Sequence, residues 1–371
     1  MKIEIFKLER NQSLYENTVE FNLTESGVQP YSLNEVLDIT DQRKLLDLEL
    51  GYGQTNGSEA LRDLIAGLYA NLNSDQVIVT NGSSEANFIA MWSLLEPGDE
   101  IIYMQPNYMQ ISGIAQSMGI RVRPFCLREM ENGRWEPDVS DLARLTNKKT
   151  RMVCICNPNN PTGSVLSEDQ MGAIVDHCRR HGLTLYADEV YRGAELHGVI
   201  TTSVLDLYEK SIAVGGMSKS MSLPGLRIGW LVGPAKFINL AWQHRDYTSI
   251  SSGLISQFVA EKVLAPRFLP QVRQRAQAFL CGNLALLEKW VDTQAGKFTY
   301  FPPQAGGMLL LKYSMNLNSR EFTEMLRRDF GLLIVPGDDY DMGNYLRIGI
   351  GGNPTYLEAG LSRLQQAVNK L

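Results

Sequence analysis

Between residues 50 and 260 short apolar runs alternate with helical stretches, and that alternation limits what the chain can fold into. The runs "QVIVT" (76–80), "EIIYM" (100–104), "RVRPF" (121–125), "RMVCIC" (151–156), "LTLYADEVY" (183–191) and "SIAVGGMSK" (211–219) have the length and composition of buried strands. Between them lie stretches such as "EDQMGAIVDHCRRHG" (168–182), amphipathic at helical period and closed by Gly182. Strands joined by helices pair in parallel, because a parallel pair needs a long crossover. A mostly parallel sheet wrapped by helices is therefore expected. After Pro266 the pattern changes to a long helix over about 267–290, strand-like "GGMLLLKY" and helix-like "SREFTEMLRRDF". The loop "VPGDDYDMG", the strand "YLRIGI" and a final helix complete a second, smaller α+β unit.

Composition excludes several function classes. A net charge of −6 and a pI near 5.4 argue against a general nucleic-acid or anionic-membrane binder. No stretch approaches a transmembrane span, and the first residues lack an apolar run of signal-peptide length. The five cysteines include no CxxC pair and no His partners for a zinc pattern, so no metal is expected and the thiols read as reduced, in a cytoplasmic protein.

In doubly wound sheets, ligand groups gather at the carboxyl ends of strands. Five of these ends carry chemistry. After "VIVT" come Gly82, Ser83 and Ser84 at a helix N-terminus, an anion site or a plain serine cap. After "EIIYM" comes Tyr108, which taken singly also reads as a surface turn. After "VCIC" comes the rigid loop "NPNNPTG" (157–163). Asp188 follows an apolar strand, where a carboxylate is costly unless paired. Lys219 follows "IAVGGMS", and Arg227 stands eight residues later in an apolar run. A phosphorylated, conjugated aldehyde with a basic ring nitrogen uses all of these groups, and pyridoxal 5′-phosphate (PLP) is such a molecule.

The motifs "YGQTNGSEALR", "TNGSSEAN", "PNY", "NPNNPTG", "DEVY", "SKSMSLPGLRIGW", "PG" and "LRIG" stand in that order. In this ordered set the chain resembles the fold-type I PLP enzymes of the aminotransferase class I/II group, over about residues 20–370. The resemblance implies a large domain (46–265) with a mostly parallel seven-stranded sheet and a small C-terminal domain (266–371). It also implies an N-terminal segment (1–45) at the substrate mouth, packing with the small domain. Lys219 would bond the cofactor aldehyde, Asp188 would face the ring nitrogen, and Asn160 and Tyr191 would bind the ring oxygen. Tyr108 would stack on the ring. Gly82, Ser83, Ser84, Ser218 and Arg227 would hold the phosphate, joined across a homodimer interface by Tyr52. Arg347 would pair with the substrate α-carboxylate. One departure is Gly216, where related enzymes commonly place Ser or Thr three residues before the lysine.

The fold does not fix the reaction. The phrases "EFNLTESGVQPYSLNEVL" (20–37) and "HRDYTSI" (244–250) resemble enzymes of the capreomycidine-synthase type, which cyclise hydroxylated arginine. That likeness implies a guanidine-bearing substrate, with Glu25, Ser26 and Gly27 at the mouth and Glu9 as a second base beside Lys219. Glu9 and Glu25 read equally as solvated surface charges. The alternative is an ordinary aminotransferase with a 2-oxo acid acceptor. A ligand-sensing domain of a DNA-binding regulator is disfavoured by the acidic charge.

Overall fold

A computed structural model describes residues 2–371. Its strands are β1 (Phe21–Asn22), β2 (Val77–Thr80), β3 (Glu100–Gln105), β4 (Arg121–Glu129), β5 (Trp135–Pro137), β6 (Thr150–Cys156) and β7 (Thr184–Asp188). They continue with β8 (Ser211–Gly216), β9 (Gly229–Val232), β10 (Phe298–Tyr300), β11 (Met308–Tyr313), β12 (Leu332–Leu333), β13 (Val335–Pro336) and β14 (Tyr345–Gly349). The central sheet has the order β2-β9-β8-β7-β6-β3-β4-β5. The seven strands expected are present, and the short β5 adds an eighth at the edge by pairing antiparallel with β4. Strands β4, β3, β6, β7 and β8 run parallel. The β8–β9 connection carries Lys219 and a short 3-10 turn but no crossover helix, so β9 returns antiparallel.

Alternation along the strands splits the sheet's side chains between two cores. Val77, Val79, Ile102, Val153 and Leu185 face one layer, which holds helices Glu59–Ala66, Glu168–His181 and Leu254–Leu264. Ile78, Ile101, Met152, Tyr186 and Ile212 face the other, with helices Ser83–Leu94, Gln110–Ser117 and Ala235–Arg245. Burial on both faces is what makes these strands read as near-continuous apolar runs. Helix Glu168–His181 has the ends its sequence announces: a Ser167/Gln170 capping box and Gly182 in the left-handed region at φ 64°.

The C-terminal part forms a second sheet, β10-β11-β14-β13, antiparallel throughout. Helices Leu269–Asp292, Ser319–Phe330 and Pro354–Val368 pack with it around Leu309, Leu311, Leu346 and Ile348. Strand β1 pairs parallel with β12, matching Phe21 to Leu332, which ties the N-terminal segment to this layer.

Several boundaries differ from the sequence reading. The helix expected over 59–71 ends at Ala66, capped by Gly67. The strands expected to run to Tyr191 and Lys219 stop at Asp188 and Gly216, where the chain turns away to present those side chains. A helix that the sequence reading left out spans Lys7–Tyr15. Among the described residues, no helix is long and apolar enough to cross a membrane, and no group of three or more His, Cys, Asp or Glu is placed to hold a metal ion.

Candidate active site

The carboxyl ends of β2, β3, β6, β7 and β8 open into one cavity of about 250 Å³. Lys219, Asp188, Tyr108, Asn160, Tyr191, Ser83, Ser84, Ser218, Arg227 and Arg347 all line it, as do Glu9, Glu25 and Ser26. Three expected residues lie outside its lining, and one of them, Gly82, sits behind it as the cap of helix Ser83–Leu94. Gly27 lines the neighbouring cleft, pressed so close to the Ser218 carbonyl that a Cβ would sit 3.0 Å from its oxygen. Tyr52 is 87% exposed and outside the cavity.

At one end, Gly82 caps helix Ser83–Leu94 with φ 79°. A Cβ there would come within 2.5 Å of Arg227 Nη2, so only glycine lets the guanidinium lie against the helix N-terminus. Arg227 itself sits in the left-handed region at φ 52°. Its Nη1 donates to the Pro224 carbonyl at 3.0 Å and to Ser218 Oγ at 3.4 Å, and among the described residues no carboxylate pairs with it. Free donors, hydroxyls and a helix N-terminus together are phosphate-binding chemistry.

In the middle, Asp188 is buried at the end of β7. Burial pushes its carboxyl up to about 6, against the opposing pull of the Val190 N–H, Asn87 and Lys219. The Val190 N–H donates to it at 3.2 Å, and Tyr186 holds Asn87 by a 2.6 Å hydrogen bond. A buried carboxylate this poorly compensated is matched by a protonated ring nitrogen. Nearby, the buried Tyr191 hydroxyl donates to Ser26 Oγ at 2.8 Å.

At the far wall stands Arg347, 2% exposed on β14. Its Nη1 donates to Asn160 Oδ1 at 3.2 Å and to the Tyr340 hydroxyl at 2.9 Å, and its Nη2 donates to the Thr24 carbonyl. Its Nε has no partner although it is buried. Burial would lower its pKa, but Tyr340, Tyr191 and Glu25 outweigh that, so the guanidinium is held charged. A charged guanidinium in the wall of a cavity suits a carboxylate.

The mouth is closed by helix Lys7–Tyr15. Gln12 anchors it by donating to Thr24 Oγ1 at 2.8 Å, and Leu8 packs with Val335 and Tyr340. Glu9 accepts a 2.6 Å hydrogen bond from the Tyr108 hydroxyl, and the Phe6 and Tyr108 rings lie 4.9 Å apart. Burial, then Glu9, pushes the Tyr108 phenol far above its ordinary value, so it remains a donor. Glu25 Oε2 stands 3.9 Å from Lys219 Nζ. The free phosphate-type donors, the buried Asp188 and the charged Arg347 fit PLP with an amino-acid substrate beside it.

The sequence reading missed Asn87, Gln12 and Glu16, which also line the cavity. Glu16 was findable, because Glu9, Gln12 and Glu16 follow the i, i+3, i+7 spacing of one helix face. Asn87 sits within a motif whose hydroxyls and glycine drew all the attention.

Residues 27–364 match the family described as aminotransferase class I and II. Capreomycidine synthase of Streptomyces vinaceus is 28% identical over 357 residues, covering 93% of this chain and 89% of that protein. A PLP-dependent aminotransferase from Streptococcus suis superposes with a TM-score of 0.94 at 31% identity, covering 100% of this chain and 99% of that one. The PLP-dependent cyclase OrfR superposes with a TM-score of 0.90 at 25% identity, covering 100% and 98%.

Proposed function

The chain belongs to the aminotransferase class I and II family of PLP-dependent enzymes, and from that premise we propose that it dehydrates and cyclises a hydroxylated arginine. The product is a cyclic guanidine amino acid of the capreomycidine or enduracididine type. The observation that carries this reading is the pair of mouth carboxylates, Glu9 on Tyr108 and Glu25 beside Lys219, in the same cavity as the charged Arg347. The likeness to capreomycidine synthase and to the cyclase OrfR supports it.

In this proposal Lys219 holds the cofactor aldehyde, Asp188 its ring nitrogen, and Asn160 and Tyr191 its ring oxygen. Tyr108 covers the ring face. Gly82, Ser83, Ser84, Ser218 and Arg227 take the phosphate, with Tyr52 of a homodimer partner. The cofactor supplies an electron sink that makes the substrate Cα–H acidic. The protein's residues do the rest. Arg347 fixes the α-carboxylate, and Ser26 keeps the Tyr191 hydroxyl oriented. Lys219, displaced by the substrate amine, removes the Cα proton and later returns one there. Glu9, positioned by the Tyr108 hydrogen bond, takes the Cβ proton that loss of a γ-hydroxyl requires. A β-hydroxyl leaves without that second base. The hydroxyl departs as water with the proton taken from Cβ (γ-hydroxyl) or Cα (β-hydroxyl). A guanidine nitrogen adds to the unsaturated carbon and gives up its own proton, which replaces that one on carbon, so the product is lighter than the substrate by one water.

The test is mass spectrometry on PLP-loaded enzyme given hydroxylated arginine in one tube, and arginine with 2-oxoglutarate in another. Product lighter by one water, with no glutamate and no acceptor required, is the expected result. Glutamate rising in step with a keto acid would overturn the cyclase reading. It would favour the second reading, an ordinary aminotransferase, which the likeness to the Streptococcus suis aminotransferase supports.

A further inference from the structure

The charges around the cavity do not balance once cofactor and substrate are seated as proposed above, and the imbalance describes the substrate's side chain. Four cavity-lining anions, Glu9, Glu16, Glu25 and Asp188, face three cations, Lys219, Arg227 and Arg347. A phosphate engages Arg227, a ring nitrogen engages Asp188, a substrate carboxylate engages Arg347, and Lys219, displaced by the substrate amine, is the neutral base that takes the Cα proton. Three carboxylates are then left, and among the described residues no further cation lines the cavity to oppose them. Glu9 has its hydrogen bond from Tyr108. Glu25 has at 3.9 Å a Lys219 that must be a neutral amine to act as the base, not a cation. Among the described residues, no side chain pairs with the Glu16 carboxylate, which is pushed above the usual carboxylate range by burial first, then by Glu25 and Glu9. Glu9, Glu16 and Glu25 line the same cavity as Lys219 and Arg347, so a substrate side chain extending from those two residues meets them.

We infer that Glu16 is a specificity-determining residue, which with Glu25 forms a subsite at the cavity mouth for the guanidinium of the substrate side chain. This deepens the reading above and rests on its placement of cofactor and α-carboxylate. Two carboxylates that repel one another gain most from a cation set between them. A guanidinium suits the place better than an ammonium. It stays charged at any working pH, is weakly hydrated, and presents planar donors to more than one carboxylate at once. Glu16 is the C-cap of helix Lys7–Tyr15, so its position depends on that helix being docked by Gln12 and Leu8. A chain lacking the helix would retain the family's cofactor residues and lose the selectivity.

The experiment titrates PLP-loaded wild type and Glu16→Gln with L-arginine and with L-citrulline, its uncharged isostere, following the absorbance band of the cofactor. Wild type is expected to bind arginine at least about tenfold more tightly than citrulline. In Glu16→Gln the arginine affinity falls about tenfold and the citrulline affinity holds, so the preference collapses, while Glu16→Asp keeps part of it. A Glu16→Gln enzyme that retains the full preference overturns the inference. So does one that loses both ligands equally, since that is the mark of a structural role. Neither ligand carries a hydroxyl to eliminate, so the result is independent of cyclisation. A preference that collapses in Glu16→Gln, with no water lost from hydroxylated arginine, sinks only the cyclase reading.

Discussion

Asp188 shows how one buried charge couples ligand binding to pH. In the cofactor-free protein its carboxyl is raised to about 6 from 3.8, first by burial. The folded state therefore keeps a proton that the unfolded chain releases. Its contribution to stability is fully present below the unfolded value and is lost as pH rises through about 6. Cofactor binding has the opposite sign. A protonated ring nitrogen needs the ionised carboxylate, so below about 6 a proton must leave before the pair can form. PLP affinity is expected to fall about tenfold for each pH unit below that point and to be flat in this respect above it. Fluorescence titration of cofactor-free protein between pH 5 and 8 reads the slope. Asp188→Asn removes the titrating group, so its profile should lose that slope and lie lower at pH 8. An identical slope in the variant would place the titration on another group.

At the scale of elements, the site depends on how closely β9 runs beneath the phosphate-type loop. Gly229 opens β9 and pairs with both Thr80 of β2 and Gly216 of β8. A Cβ on it would overlap the Gly82 carbonyl carbon and the Ser83 nitrogen, backbone atoms that cannot rotate away. Gly229→Ala is therefore expected to push the helix N-terminus off Arg227, cost about 1–3 kcal/mol of stability and weaken PLP binding by about tenfold or more. Gly225→Ala in the same connection meets nothing within 4 Å and serves as the control with unchanged binding. Affinity for PLP and the melting temperature of cofactor-free protein check both variants. These strand ends were legible in the sequence because the signal is local: a buried run, then a turn with a charged or hydroxyl residue. Helix Lys7–Tyr15 was not. It has no side-chain cap and buries only Leu8 and Gln12, so its pattern is almost wholly polar and its helicity comes from docking over the mouth. Arg347 and Asn160, 187 positions apart, meet only through the packing of β14 against the loop after β6, and no spacing rule announces that contact.

For the whole molecule, the question is where Tyr52 does its work. Within one chain it projects into solvent, as do the apolar Leu46 and Leu50 shortly before it in the sequence. The stretch around it is nevertheless fixed, since Trp242 donates to Thr55 Oγ1 at 2.8 Å and Arg245 to the Thr55 carbonyl. A rigid segment that displays an aromatic hydroxyl and apolar neighbours has the form of half an interface. In the proposed homodimer each Tyr52 completes the partner's phosphate site, so the two sites can be rebuilt from damaged subunits. Lys219→Ala lacks its own lysine but lends an intact Tyr52, while Tyr52→Ala has the lysine and lacks what it should lend. Each variant alone is expected to be inactive or nearly so at limiting PLP. Unfolded together and refolded in equal amounts, they form mixed dimers as half of the population, each with one fully wild-type site. Activity should return to about a quarter of the wild-type value. Return to that level requires a shared site. No gain over the separate variants would mean that Tyr52 acts within its own subunit or not at all, and the phosphate would then rest on Ser83, Ser84, Ser218 and Arg227 alone.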